Sequence, residues 1–163
     1  MSNELPERPD PLTPPRHFAI VASRYNAEFV EGLAEAALAE LSIIAPGSQI
    51  EVLRVPGSFE IPLAVKRIAR TGRVNAVFAF GLLFEGETRH AELIASSVTT
   101  ALLNISLEFD IPVLHEVLVV KDVDQARARC QAGSELNRGV DAARSAVRML
   151  TMLDELAEDA DLK

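Results

Sequence analysis

Short apolar runs alternate along this chain with longer segments of mixed polarity. Four runs have the length and continuity of strands, and they cover residues 17–22, 49–55, 74–83 and 112–120. The other segments repeat apolar residues at a spacing of three or four, which predicts helices at 27–41, 59–70, 91–109 and 123–156, the last interrupted around 133–139. The pattern is therefore a regular alternation of strand and helix.

Most of the predicted strands are apolar on both faces, which is typical of parallel strands covered by helices on either side. Their alternation with helices favours an α/β fold. We therefore predict a flavodoxin-like, three-layer sandwich in which a four-stranded parallel sheet is flanked by helices. Ligands of such sheets bind at the carboxyl ends of the strands, so the residues after each strand are the first candidates for a functional site.

Both ends of the chain differ in composition from the segment between them. Five of the nine prolines fall within the first sixteen residues. Because proline fixes φ and lacks a backbone donor, residues 1–16 are predicted to form a flexible arm outside the core. One α/β domain is expected over 17–156, followed by an acidic tail at 157–163 that frays at its end.

Composition limits the classes of function that remain. A chain of 163 residues has the size of one domain, and its net charge of -8 argues against a nucleic-acid partner, since phosphates need a basic face. No run reaches 18 apolar residues, so no membrane span is predicted. With no visible secretory signal and Cys130 as the single cysteine, we expect a reducing cytoplasm.

Polar side chains follow the first two predicted strands. Tyr25 either stacks on a planar ligand or merely covers the end of the sheet, and Asn26 is placed to cap the next helix. After the second strand, Gly57 marks a tight turn, and Ser58 opens a helical turn with free backbone N–H groups. Glu60 either complements the helix dipole or accepts hydrogen bonds from ligand hydroxyls, and its position alone does not decide between them.

The loop after the third strand carries the residues best suited to chemistry. Gly86 permits unusual backbone shapes, and Glu87, Thr88 and the N–H groups that open the next helix form a candidate anion cradle. His90 would lie beside this cradle. A histidine at this position is a candidate acid–base group because imidazole titrates near neutral pH, although a lone histidine is more often structural.

Further polar groups interrupt the apolar pattern nearer the carboxyl terminus. His115 and Glu116 are adjacent in the fourth strand, where an unpaired buried polar group costs free energy, so they should face a pocket, a partner subunit or each other. The break in the last helical segment carries Arg127, Arg129 and Arg138, the densest positive cluster in an acidic chain. That break is either a helix end followed by a new helix or an anion site.

Together these pieces resemble the lumazine synthase family, whose members make the immediate precursor of riboflavin. The resemblance covers roughly residues 17–153, and its most specific part is Pro-Gly-Ser-Phe-Glu-Ile-Pro at 56–62, followed by Gly-Glu-Thr-x-His at 86–90. Further matches are Arg-Tyr-Asn at 24–26, Asn-Ile-Ser-Leu-Glu at 104–108, Ile-Pro-Val at 111–113, Asp-Gln-Ala at 124–126 and Asn-Arg-Gly at 137–139.

The resemblance implies a transferase that uses neither metal nor organic cofactor. Its reaction would condense 5-amino-6-(D-ribitylamino)uracil with 3,4-dihydroxy-2-butanone 4-phosphate to 6,7-dimethyl-8-ribityllumazine, the penultimate step of riboflavin biosynthesis. His90 would be the catalytic proton shuttle. The substrate-binding positions that the resemblance implies are Tyr25, Ser58, Phe59, Glu60, Leu82, Leu83, Glu87, Thr88, His115, Arg129 and Arg138.

The resemblance also divides the substrates among these residues. It implies that Tyr25 stacks on the pyrimidine, that residues 58–60 hold the ribityl chain, and that residues 82–83 border the ring. Residues 87–88 would hold the phosphate together with Arg129. The family has an aromatic residue from the next subunit at the position of His115, and a lysine from a neighbouring subunit at the position of Arg138.

Family members are pentamers, some of which form sixty-subunit shells, so the resemblance implies a homo-oligomer, with riboflavin synthase as a candidate partner. This chain departs from the family pattern at Glu85, at Ala91 and at residues 115–116. One extra residue near 130–134 leaves Arg127 as an alternative to Arg129. Two alternatives therefore stay open: a non-catalytic relative that binds ribityl-pyrimidine or flavin ligands, and a structural shell protein.

Overall fold

The computed structural model of the chain describes residues 4–161, and strands and helices alternate within them. The strands are β1 (His17–Ser23), β2 (Gln49–Val55), β3 (Ala76–Phe84) and β4 (Val113–Val120). The helices are α1 (Ala27–Ile44), a 3₁₀ turn (Ser58–Glu60), α2 (Ile61–Ala69), α3 (His90–Phe109), α4 (Val123–Cys130) and α5 (Arg138–Asp161).

The four strands form one sheet in the order β2-β1-β3-β4, with every neighbouring pair parallel. The carboxyl ends of β1 and β2 are level, since Ser23 pairs with Val55. Ala22 pairs with Phe80, but β3 continues beside β4 as far as Phe84. The carboxyl edge of the sheet therefore has a step between β1 and β3, where the strand order reverses and ligands of such sheets bind.

Helices cover both faces of the sheet, which confirms the predicted three-layer α/β sandwich. Phe78 and Phe80 of β3 pack in one core cluster with residues of α1, α4 and α5. The alternate residues Val77 and Ala79 pack in a second cluster with residues of α2 and α3. Within residues 4–161, no helix is both long enough and apolar enough to cross a membrane.

The proline-rich segment packs on the core of the same chain. Leu12 is 4% exposed and belongs to the core cluster beneath α1 and α5, and its N–H donates to the carbonyl of Ile44 at 2.8 Å. The prediction that residues 1–16 stay outside the core is therefore wrong at Leu12. Residues 1–3 of the predicted arm lie outside the described residues.

The opposite end of the chain continues as helix. α5 extends to Asp161, beyond the predicted helix end at 156, so the described part of the predicted tail is helical. Arg16 forms an ion pair with Asp154 of this helix, which ties the last residue before the domain to α5. Residues 162–163 of the predicted tail lie outside the described residues.

Candidate functional site

The loops after β1 and β2 are joined at the carboxyl edge of the sheet. The N–H of Arg24 donates to the carbonyl of Val55 at 2.8 Å, and that of Tyr25 donates to Pro56 at 3.2 Å. The Tyr25 ring lies against Gly57, where an added Cβ would come within 3.0 Å of a ring carbon. Tyr25 remains 72% exposed, so its ring face is accessible to a planar ligand.

Asn26 does not make the predicted cap. It stands at the N-cap position of α1 with φ of 57°, but its side chain makes no capping hydrogen bond. Instead its amide donates to the carbonyl of Leu82 at 2.8 Å. The prediction is wrong because a carbonyl of the longer strand β3 lies within reach, and this bond fixes the β1 loop across the step in the sheet.

The segment Ser58–Glu60 begins as a 3₁₀ turn, where an α-helical turn was predicted. One carboxylate oxygen of Glu60 accepts the N–H of Gly57 at 2.9 Å, which closes the turn. Glu60 and Phe59 are nevertheless exposed, Phe59 by 63%. Ser58 is buried against Gly81, and its Oγ has no hydrogen-bond partner among the described residues.

His90 begins α3 and lines two adjacent cavities at this edge. One, of about 410 Å³, is lined with Phe59 and with residues of α3. The other, of about 230 Å³, is lined with Leu83 and Thr88 among others. The structure therefore brings His90, Phe59, Leu83 and Thr88 together. Leu82 is fully buried in the core, so its side chain lines neither cavity.

The loop between β3 and α3 is acidic. A cavity of about 520 Å³ beside this loop is lined by Thr88, Ala91 and three glutamates at positions 85, 87 and 92. Arg89 lines it too, but its guanidinium forms an ion pair with Glu92 at 3.0 Å, so Glu85 does not have Arg89 as a partner. A phosphate bound here needs cations from outside this loop.

The three arginines of the predicted positive cluster do not line that cavity in the same subunit. Arg127 is exposed and lies 3.8 Å from Asp124 of its own helix. Arg138 is buried at the start of α5, where it pairs with Asp141 at 2.5 Å. The break between α4 and α5 is thus a helix end followed by a new helix, and the single chain does not assemble the arginines at Thr88.

His115 faces α3. Its Nε2 lies 2.7 Å from the hydroxyl of Thr99, which itself donates to the carbonyl of Ala95 at 2.7 Å. Nε2 therefore carries the proton, and Nδ1 accepts the N–H of Val117 at 3.3 Å. Burial lowers the pKa of His115, which keeps the ring neutral. Sequence reasoning missed Thr99, since a threonine inside a helical pattern is ordinary.

Glu116 points to the opposite face, as strand alternation requires, so the two residues do not face each other. It lines a cavity of about 550 Å³ with Arg138, Asp141 and Arg148 of α5. Burial, followed by the charge of Asp141, raises the pKa of Glu116 to about 8. Of the three predicted settings, a pocket, a partner subunit or each other, the structure shows a pocket for both residues, since His115 lines a separate cavity of about 360 Å³.

The described residues contain no cluster of three or more His, Cys, Asp or Glu side chains suited to a metal ion. The polar groups at the carboxyl edge are instead single side chains around the step in the sheet. They can stack on a ring, accept hydrogen bonds from hydroxyls and exchange protons. The arginines that could bind a phosphate lie elsewhere on the subunit.

Comparison with known proteins identifies relatives of the chain. The 6,7-dimethyl-8-ribityllumazine synthase family model matches residues 15–154. The enzyme of that name from Xanthomonas oryzae pv. oryzae is 38% identical over 147 residues, which are 89% of this chain and 95% of that protein. The one from Xanthomonas euvesicatoria pv. vesicatoria is 38% identical over 140 residues, 85% of this chain and 90% of that protein.

A solved GDP-L-fucose synthetase from Naegleria fowleri aligns with a TM-score of 0.41 and 14% identity. The alignment covers 96% of this chain and 49% of that one, so the chain spans about half of that structure. This likeness is too slight to bear on fold or function.

Proposed function

The chain belongs to the 6,7-dimethyl-8-ribityllumazine synthase family, and from that premise we propose that it condenses 5-amino-6-(D-ribitylamino)uracil with 3,4-dihydroxy-2-butanone 4-phosphate. The observation that carries the proposal is the placement of His90 between two cavities at the carboxyl edge. A proton-transfer group there would reach both substrates.

In the proposed reaction, the amine of the pyrimidine attacks the ketone, and loss of water gives a Schiff base. Elimination of phosphate and ring closure with loss of a second water then give the lumazine. Each step moves protons, for which an imidazole is suited because one ring nitrogen can donate while the other accepts. Holding the two substrates side by side supplies much of the remaining acceleration.

The exposed aromatic and polar groups around the step support the proposed division of the substrates. Tyr25 would stack on the pyrimidine ring, and the turn Ser58–Glu60 would hold the ribityl hydroxyls. Leu83 would border the ring from β3. Thr88 and the adjacent N–H groups at the start of α3 would hold the phosphate.

We propose that a second copy of the chain completes the site. The loop cavity that would hold the phosphate is acidic, and Arg129 and Arg138 do not line it in the same subunit. His115 likewise lies on β4, away from the cavities that contain His90. A homo-oligomer would bring these groups to the site. Pentamers, a riboflavin synthase partner and the cytoplasmic location stay predictions.

The test is to mix the purified protein with both substrates and follow lumazine absorbance. We expect turnover, and we expect His90→Ala to lower kcat by about 100-fold or more while affinity for the ribityl-pyrimidine is kept. His17→Ala, at the amino end of β1, is the matched control and should leave both kcat and this affinity unchanged. Ligand binding without turnover would favour the non-catalytic relative. The absence of both ligand binding and turnover would favour the shell protein.

The phosphate partner is tested separately. We expect Arg129→Ala to raise the KM for the butanone phosphate more than Arg127→Ala does, because Arg127 is exposed beside Asp124. The reverse ranking would assign the phosphate to Arg127.

A further inference from the structure

Asn137 connects three helices in the interior of the subunit. It is 1% exposed and lies in the break between α4 and α5. Its amide nitrogen donates to the carbonyls of Cys130 at 2.9 Å and Gln131 at 3.0 Å, with a longer contact of 3.4 Å to Gly32 of α1. Its amide oxygen accepts the N–H of Gly139 at 2.8 Å. These partners fix the orientation of the amide, since carbonyls only accept and N–H groups only donate.

The backbones around this side chain are packed too closely to shift freely. An added Cβ at Gly32 would lie 2.2 Å from the carbonyl oxygen of Cys130. One at Gly139 would lie 2.0 Å from the carbonyl oxygen of Leu33. The end of α4 and the start of α5 are thus both held directly against α1, and Asn137 bonds to both.

The two arginines proposed to bind substrate are attached to these fixed points. Arg129 directly precedes Cys130, whose carbonyl Asn137 holds, and Arg138 directly follows Asn137. We infer that Asn137 is a positioning residue for the phosphate substrate. By fixing the backbone next to Arg129 and Arg138, it holds the two arginines where they can reach the site that they complete. This inference rests on the proposed function, because it needs Arg129 or Arg138 to contact that substrate.

A positioning role differs measurably from a general contribution to stability. General destabilisation lowers the amount of folded enzyme and affects both substrates alike. Displacement of the arginines affects only the substrate that they bind. When a lost interaction had stabilised the bound substrate and the transition state equally, its loss raises KM and leaves kcat unchanged.

The test uses Asn137→Asp, which keeps the shape and one acceptor but places an oxygen against the carbonyls of Cys130 and Gln131. We expect the KM for the butanone phosphate to rise about tenfold and inorganic phosphate to bind about tenfold more weakly, the loss of one charge-assisted hydrogen bond. The KM for the ribityl-pyrimidine and kcat should change less than about twofold. Asn137→Ser, which keeps one donor, gives a smaller effect in the same direction and serves if the Asp variant does not fold.

Two controls separate the possible results. Glu40→Gln removes a buried carboxylate of α1 that pairs with Arg8 and Arg144, so we expect it to destabilise the subunit away from this junction and to leave both KM values unchanged. Because Asn137 acts through Arg129 and Arg138, Arg129→Ala combined with Asn137→Asp should raise the phosphate KM by less than the product of the two single effects. Equal changes in both KM values, or fully additive effects, overturn the positioning role. Wild-type protein without turnover overturns the proposed function, and the phosphate affinities then still decide the role of Asn137.

Discussion

Glu116 is a carboxyl group that the fold keeps protonated near neutral pH. Burial is the main cause, the charge of Asp141 adds to it, and Arg138 and Arg129 offset it only in part, so the pKa rises from 4.5 to about 8. Between these values the folded chain keeps a proton that the unfolded chain has released. The free energy of unfolding therefore falls as pH rises from 4.5 to 8, and this group adds no further loss above 8.

We predict that Glu116→Gln removes this pH dependence. The variant should be more stable than the wild type at pH 8 by on the order of 3 kcal/mol, somewhat less than the full shift because water reaches the side chain in part. The difference should shrink towards pH 5. Urea unfolding of both proteins at fixed protein concentration and several pH values measures it, with exposed Glu51→Gln on β2 as control. Parallel stability curves for wild type and Glu116→Gln would contradict the assigned pKa.

At the residue scale, the sequence predicted positions better than it predicted partners. The sequence predicted that His115 and Glu116 face a pocket, a partner subunit or each other, and each lines a pocket. It did not reveal that Thr99 fixes the tautomer of His115, because that partner lies on another element. Asn26 shows the same limit, since the competing acceptor was the carbonyl of Leu82, 56 positions away along the chain.

At the element scale, the 3₁₀ turn Ser58–Glu60 is positioned by the absence of a side chain on β3. A Cβ at Gly81 would lie 2.5 Å from Ser58 Oγ and 3.2 Å from Ile61 Cδ1. Because Gly81 lies in the strand that extends past the step, its contact with Ser58 sets the distance of the turn from the candidate site. Packing here allows little adjustment, since Ser58 is itself 5% exposed.

We predict that Gly81→Ala destabilises the subunit by about 1–3 kcal/mol and weakens ligand binding at the turn. Ser58→Ala should restore part of the stability, with a coupling energy of about 1 kcal/mol in a double-mutant cycle. Urea unfolding of the two single variants and the double variant measures the coupling. Gly86→Ala is the control, because a Cβ at that position meets nothing within 4 Å. Additive effects of the two substitutions would refute the contact.

The bounds of the strands and helices were largely predictable because glycine or proline residues, which interrupt regular structure, stand near their ends. Strand β2 has the predicted bounds, since Gly47 precedes it and Pro56 follows it. The predicted start of α2 was wrong because the hydrogen bond from Gly57 to Glu60 favours a tighter turn. The spacing of apolar residues does not reveal such a bond. The gap between α4 and α5 was found from its glycines, but the role of Asn137 within it was not.

At the scale of the whole molecule, one buried carboxylate holds the amino-terminal segment in place. Glu40 of α1 is 5% exposed and accepts two hydrogen bonds from Arg8, at 2.8 and 2.9 Å, and one from Arg144 at 2.7 Å. Arg144 also donates to the carbonyl of Pro6 at 2.6 Å. The hydrogen bonds from Arg8, and then the one from Arg144, hold the pKa of Glu40 below its ordinary value.

We predict that Glu40→Gln lowers the free energy of unfolding by about 2–4 kcal/mol near neutral pH, since it leaves Arg144 without its buried counter-charge. This difference in the free energy of unfolding should have its full size above the ordinary carboxyl pKa. It should disappear as acid protonates Glu40 in the wild type. Glu31→Gln, whose partner Arg54 forms a more exposed pair, should cost less than about 1 kcal/mol. Urea unfolding of the three proteins compares them, and equal losses would refute a special role for Glu40.

Long-range packing explains why the ends of the chain were predicted less well than its middle. Prolines indicate an irregular backbone, but they do not report that Leu12 lies in the core. The arginines at 127, 129 and 138 are close in sequence, yet Arg127 and Arg138 pair with acids of their own helices. Proximity along the chain is not proximity in space, and the cavity beside Thr88 contains none of the three.

Burial of the single cysteine makes the junction that Asn137 holds directly observable. Cys130 is fully buried, and burial followed by the charge of Glu116 raises the pKa of its thiol to about 12. The thiolate, which is the nucleophilic form that reacts with thiol reagents, is therefore scarce in the closed subunit. The rate at which a chromogenic thiol reagent labels the protein then reports how often the end of α4 opens, with no engineered probe and no background from a second cysteine.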